Sequence, residues 1–349
     1  DTRPRWWRRR GTNGAGPPAR TERGALDALL ATTLPPPAPT VHPDDVTVRM
    51  VGIGGTGVVT VAQVIGTAAM LDGFRVRGLD QIGLSQKAGP VVSDLHLTRG
   101  HDSESSRLGA GQADVLLVFD ALVAASRLGI APSDRTRTVV VGSSSETPPG
   151  AAIADPAIDL PTFADLDTTL AAVTRPDHRH WVDADAVATL AFGDALTANV
   201  VVAGMAVQSG ALPVSPERVE LAIELNGTAA EANRRAFRLG RHLVADRRAA
   251  EDALAAVAAG AAHAPGAPPD PVTERLVALG LDPTVAAEVG RFAADLTAYQ
   301  DAAYAATHLD LVERVHARER AVAPDSAALT RAVARGLYKL MAYKDEYEV

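Results

Sequence analysis

The feature that most limits what this chain can fold into is a glycine-rich turn set between a strand and a helix. Residues 46–52 read VTVRMVG, an alternating β-branched run that leads into Gly52, Gly54, Gly55, Thr56 and Gly57. Next comes VVTVAQVIGTAAML, an apolar stretch of helical length. Glycines lack a Cβ, so the backbone can turn tightly and approach a ligand closely. The helix that follows directs unpaired N–H groups and its positive end at the same point. A phosphate or carboxylate is the natural guest of such a turn. On this motif alone a second reading stays open, in which the glycines only permit a tight strand-to-helix crossing.

The rest of the chain repeats the alternation. Strands are predicted at FRVRGL (74–79), PVVSDLHL (90–97), DVLLVF (114–119) and TRTVVVG (136–142). Helices are predicted over 58–71, 121–128, 162–173 and 198–207, with two more beginning near Pro216 and Thr228, where Ser215 and Pro216 form a cap and first-turn pair. This order predicts an α/β fold, a Rossmann-like open and mostly parallel sheet over residues 46–245. Residues 246–271 are rich in Ala, Gly and Pro and read as a linker. Residues 272–349 show no strand pattern but carry apolar residues at helical spacing, as at Leu309, Val312 and Val315, so a helical C-terminal region is expected. Residues 1–45 are expected to be a disordered basic and Pro-rich arm: residues 1–23 hold seven arginines against two acids, with Trp6 and Trp7 beside Arg8, and LPPPAP follows. The first residue is Asp, and YKDEYEV stops inside a helical pattern, so the chain reads as an excised or truncated piece.

Charge and composition exclude several classes. A net charge of -8 argues against a nucleic-acid partner, which would need a surplus of Lys and Arg to displace counterions from phosphates. No apolar run reaches the roughly 18 residues of a membrane span, so neither membrane contact nor a location other than the cytoplasm is expected. The chain has no cysteine, which rules out a thiolate-held iron–sulfur cluster, a disulfide and a cysteine nucleophile within it.

An NAD(P) site would need an acidic residue at the end of the second strand, about 20 residues beyond the glycines, to hold the adenine ribose. Asp80 occupies that place. A dinucleotide fold would then continue into a helix, whereas here QIGLSQKAGP (81–90) follows and leads into another strand pattern. That loop presents Gln81, Ser85, Gln86 and Lys87 near the carboxyl edge of the sheet, where open α/β sheets bind ligands. Weaker signals are Gly193, Asp194, Ala195 and Asn226, a loose echo of the GDG…N motif that holds Mg²⁺ and thiamine diphosphate. There are also His178 and His180, without a third ligand at zinc spacing, and the serines at 143–145, without a nucleophile elbow.

GIGGTGVVT at 52–60, LDGFRVRGLDQIGLSQKAGPVVSDLHL at 71–97, and ANVVVAGMAVQSGALP with SPERVELAI downstream together resemble the gamma module (pyruvate/ketoisovalerate oxidoreductase gamma type) of 2-oxoacid:ferredoxin oxidoreductases. The indolepyruvate ferredoxin oxidoreductases are the most similar, over about residues 46–242, and the helical tail resembles the segment that follows this module in long fused members of that family. The resemblance implies a part of an enzyme that decarboxylates a 2-oxoacid, an arylpyruvate in the indolepyruvate type. Such enzymes use thiamine diphosphate with Mg²⁺, pass electrons through [4Fe-4S] clusters to ferredoxin, and deliver the acyl group to coenzyme A. It also implies that the thiamine and clusters belong to partner domains or subunits. This chain alone would then hold no cofactor and turn nothing over. On the same basis Gly52, Gly54, Gly55, Thr56, Gly57, Asp80, Gln81, Ser85, Gln86 and Lys87 are the expected contacts to coenzyme A or a reaction intermediate, Lys87 foremost. The family usually has two glycines after that lysine, where this chain has Ala88 and Gly89. The alternatives are an NAD(P)-dependent Rossmann oxidoreductase and a non-catalytic interaction module.

Overall fold

The computed structural model describes residues 23–82, 89–101, 105–145, 160–263, 275–276, 278–281, 283–324 and 326–342. The chain forms two compact units, one over residues 17–262 and one drawn from 263–349.

The larger unit begins with helix α1 (Arg23–Leu30), strand β1 (Asp45–Ile53), helix α2 (Val58–Leu71) and strands β2 (Arg75–Ile82) and β3 (Pro90–Thr98). Then come β4 (Val115–Val118), the short helices α3 (Ala121–Ala125) and α4 (Arg127–Ile130), β5 (Val139–Ser143), α5 (Phe163–Ala171) and β6 (Arg179–Val182). Five helices complete it: α6 (Ala184–Phe192), α7 (Ala198–Gln208), α8 (Pro216–Asn226), α9 (Ala230–Ala245) and α10 (Arg247–His263). The six strands form one sheet in the order β2-β3-β1-β4-β5-β6. β1, β4, β5 and β6 run parallel, whereas β3 is antiparallel to both β1 and β2. The sheet is thus Rossmann-like and mostly parallel, with a hairpin strand interposed where a dinucleotide fold would pair its first two strands.

The sheet sorts its side chains by strand alternation. Val46, Val48 and Met50 of β1, with Leu95 and Leu97 of β3 and Val139 and Val141 of β5, join α2, α7 and α9 in the main core. Val51, Val92, Leu116, Val118 and Val140 face the other way and join Ala124 and Leu170 in a smaller cluster. In the main core α7 and α9 touch backbone to backbone. A Cβ on Gly204 would lie 2.1 Å from the Phe237 carbonyl oxygen, and one on Gly240 would lie 1.9 Å from that of Val201.

Four expectations change. Residues 23–45 are not a free arm. Leu26 and Leu30, one helical turn apart, are buried in the main core. The following segment is tied down where Gln208 Nε2 donates to the Pro35 carbonyl (2.9 Å), the Thr40 N–H donates to Gly210 (3.0 Å) and Arg175 donates to the Thr40 carbonyl (3.0 Å). Residues 247–263 are helix α10 rather than linker, because alanine is a strong helix former and Ala250, Leu254 and Val257 fall on one buried face. Ser215 precedes Pro216 at the first turn of α8 as expected, but its side chain makes no cap. It donates to Asp72 (2.6 Å), which ties the start of α8 to the end of α2. The helix predicted over 121–128 is also broken, at Ser126, which ends α3 and caps α4. Residues 1–22 and 343–349 lie outside the described residues.

The smaller unit consists of α11 (Pro283–Tyr299), α12 (Ala302–Val322) and α13 (Ala328–Met341). Its core includes Val289, Leu296, Leu309, Val312 and Ala334, the helical spacing read from the sequence. Glu319 of α12 caps the start of α13, accepting from Thr330 Oγ1 (2.6 Å) and from the N–H groups of Thr330 (2.7 Å) and Leu329 (2.9 Å). The Thr330 hydroxyl is the main reason its carboxyl sits well below the usual carboxylate range, at about 2. No helix among the described residues is long and apolar enough to cross a membrane.

Candidate functional site

The glycine turn closes the step from β1 to α2. Gly55 and Gly57 both adopt φ near 89°, a left-handed backbone that a side chain would strain. Gly57 is the N-cap of α2 and offers no side-chain acceptor, and the first turn of the helix carries no acidic residue. The first N–H groups of α2 therefore stay without a side-chain cap at its positive end. Gly52 has a different task. A Cβ there would come within 2.7 Å of the Val58 side chain and 3.0 Å of Phe119, so this glycine lets the strand pass beneath the helix start.

Two contacts hold the turn in shape. The Gly54 N–H donates to the Gly89 carbonyl (2.8 Å), which joins the turn to the end of the 81–90 loop. The Asn199 amide, from the first turn of α7, donates to the Thr56 carbonyl (2.7 Å), while the Thr56 hydroxyl turns inward and donates to Ile53 (2.8 Å). Asn199 is 7% exposed. Sequence reasoning missed it, although a single Asn among the apolar residues of ANVVVAG was the available signal. Gly55 and Thr56 remain exposed.

Of the remaining predicted residues, the two described ones, Asp80 and Gln81, point to opposite faces of the sheet. Asp80 pairs with Ser93 across β2 and β3, and Ser93 Oγ donates to it (2.6 Å). With β3 between them, β2 lies two strand spacings from β1, about 10 Å. Asp80 is therefore displaced from the place where a ribose-binding acid beside the glycine turn would stand. Gln81 points to the opposite face from Asp80 and helps line a cavity there. Ser85, Gln86 and Lys87, with Ala88, lie outside the described residues.

The residues that echo a thiamine motif do not fit the group. Gly193 is the left-handed C-cap of α6, Asp194 accepts the Leu196 N–H (2.9 Å) within its own turn, and Asn226 is the last residue of α8. Among the described residues no three His, Cys, Asp or Glu side chains are grouped as a metal site. His180 lies on β6, where burial lowers its pKa, so it is held neutral. Ser143 ends β5 and its hydroxyl accepts the N–H groups of Ala184 (3.1 Å) and Ser145 (3.2 Å), a strand-end turn rather than a nucleophile.

Residues 47–243 match the family described as pyruvate ferredoxin/flavodoxin oxidoreductase, and residues 285–349 match a family of unknown function. The chain is similar to the indolepyruvate oxidoreductase subunit IorB of Pyrococcus horikoshii, 29% identical over 54% of this chain and 91% of the relative. It is likewise similar to IorB of Thermococcus kodakarensis, 28% identical with the same coverage. Of solved structures, the pyruvate oxidoreductase subunit PORC of Thermotoga maritima is 18% identical, with a TM-score of 0.41 over 57% of this chain and 96% of that one.

Proposed function

The chain belongs to the pyruvate ferredoxin/flavodoxin oxidoreductase family, and from that premise we propose that it is the gamma-type part of an indolepyruvate-class 2-oxoacid:ferredoxin oxidoreductase. The observation that carries this reading is that its glycine turn, hairpin strand and α7 all fall within the family match over residues 47–243, and that 193 residues of the chain are similar to 91% of an IorB subunit's length. The complete enzyme would convert a 2-oxoacid and coenzyme A to an acyl-CoA and carbon dioxide, passing two electrons to ferredoxin. Thiamine diphosphate supplies the carbanion chemistry of such enzymes and iron–sulfur clusters carry the electrons. This chain has no cysteine to hold a cluster, and Gly193, Asp194 and Asn226 are engaged elsewhere. In this reading both groups would reside on partner domains or subunits.

The role left to this chain is to present an anion-binding turn. Gly55 and Gly57, with the uncapped N–H groups at the start of α2, would receive a phosphate of coenzyme A or the carboxylate of an intermediate, while Gly54 and Thr56, whose N–H groups donate to Gly89 and Ile53, would shape the turn. Lys87, on a loop whose last carbonyl is tied to Gly54, would supply a cationic contact. Asn199 would act as a positioning residue that fixes the turn.

The test is reconstitution with thiamine- and cluster-bearing partners, followed by 2-oxoacid- and coenzyme A-dependent reduction of a viologen dye. Activity should require this chain. Lys87→Ala should raise the KM for coenzyme A about tenfold while changing kcat less, the pattern of lost ground-state binding. Unchanged KM values for both coenzyme A and the 2-oxoacid would exclude the contact. Tight NADH binding by calorimetry would overturn the whole reading in favour of a dinucleotide site.

A further inference from the structure

On the face of the sheet opposite α2 lies a cavity of about 570 Å³, lined by Arg49 and Gln81 from the strands and by Arg107 and Arg127 beside them. Its volume falls in the range of small-molecule sites. The walls between the arginines are apolar, made by Val92, Leu108, Leu128 and Pro132. Among the described residues no acidic side chain lines it.

The charges do not balance. Arg49 is 5% exposed; its Nη2 donates to Asp94 (2.7 Å), its Nε donates to the other carboxylate oxygen, and its Nη1 donates to the Leu128 carbonyl (2.6 Å). Asp94 thus neutralises Arg49 and holds it rigid. Arg107 and Arg127 are exposed and form no ion pair among the described residues, so two guanidinium groups face the cavity with no described carboxylate beside them, on a chain whose net charge is -8. Planar guanidinium forks suit a carboxylate or phosphate oxygen pair.

We propose that this cavity binds a small organic anion, with an apolar body against Val92, Leu128 and Pro132 and a carboxylate or phosphate head held by Arg107 and Arg127. It is separate from the glycine turn, and the proposal does not depend on the oxidoreductase reading. The experiment is titration of the full chain, without partners, with phenylacetate, phenyl phosphate and inorganic phosphate, by calorimetry and by backbone amide shifts of Gly109 and Leu128. At least one aryl anion should bind with a Kd on the order of 1 mM or tighter, and whichever binds more tightly identifies the head group. Arg107→Gln and Arg127→Gln should each weaken that binding about tenfold with little movement of the urea midpoint, because neither side chain has a partner to lose among the described residues. Three results would overturn the proposal: no aryl anion bound, inorganic phosphate bound as tightly as the aryl anions, or aryl binding that survives both substitutions.

Discussion

On one face of the sheet Val48, Met50 and Leu97 meet α2, α7 and α9, and the charged strand residue there, Asp80, lies on the exposed edge strand. On the other face the same strands carry Arg49, Asp94 and Thr47 beside Val51 and Val92. Both faces exclude water, by different means. The first relies on shape, with two glycines letting helix backbones touch. The second relies on paired charge, and a hollow lies beside its smaller apolar cluster. A face held by shape tolerates no added atoms, whereas one held by charge tolerates no removed partner.

The sharpest way to break this comparison is Asp94→Ala, which would strand the Arg49 guanidinium in a buried site. A loss of about 4 kcal/mol of stability is expected in urea unfolding. Replacing both partners, Arg49→Met with Asp94→Leu, should recover most of it; no recovery would mean that the pair also serves the hollow beside it. Gly204→Ala probes the other face. The added Cβ meets the Phe237 carbonyl, and α7 must back away from α9 at a cost of roughly 2–3 kcal/mol. A neutral result would show that the shape account is wrong. Asn199→Ala should cost about 1 kcal/mol and speed amide exchange in the glycine turn.

The smallest effect concerns pH. His96, on the charged face, is kept below the usual histidine pKa of 6.5 mainly by burial, against the opposing pull of Asp94. The unfolded chain therefore takes up the proton first, so stability should be lost as pH falls below about 6.5. His96→Gln should flatten that decline in urea midpoints measured between pH 7 and 5.

Most of the fold was legible in the sequence because strand alternation and helix spacing are local signals. β6 was not: RHWV is short, polar at two of four positions, and becomes a strand only by pairing with β5. Helix α10 was hidden by its alanines, which read as linker until Leu254 and Val257 find the core. The glycine turn was legible as a turn. What holds it was not, because Asn199 and Thr56 are 143 positions apart. Likewise the displacement of Asp80 from the glycine turn follows from the position of β3, which no spacing along the chain announces.

That position of β3 also decides where the sheet stops. Its insertion pushes β2 to the outer edge, where Arg75 and Arg77 are exposed, while the far edge is the four-residue β6. A strand from a second molecule seeking to extend the sheet would meet two arginines at one end and too little length at the other. The hairpin that removes the dinucleotide geometry thereby also protects the protein against edge-to-edge aggregation.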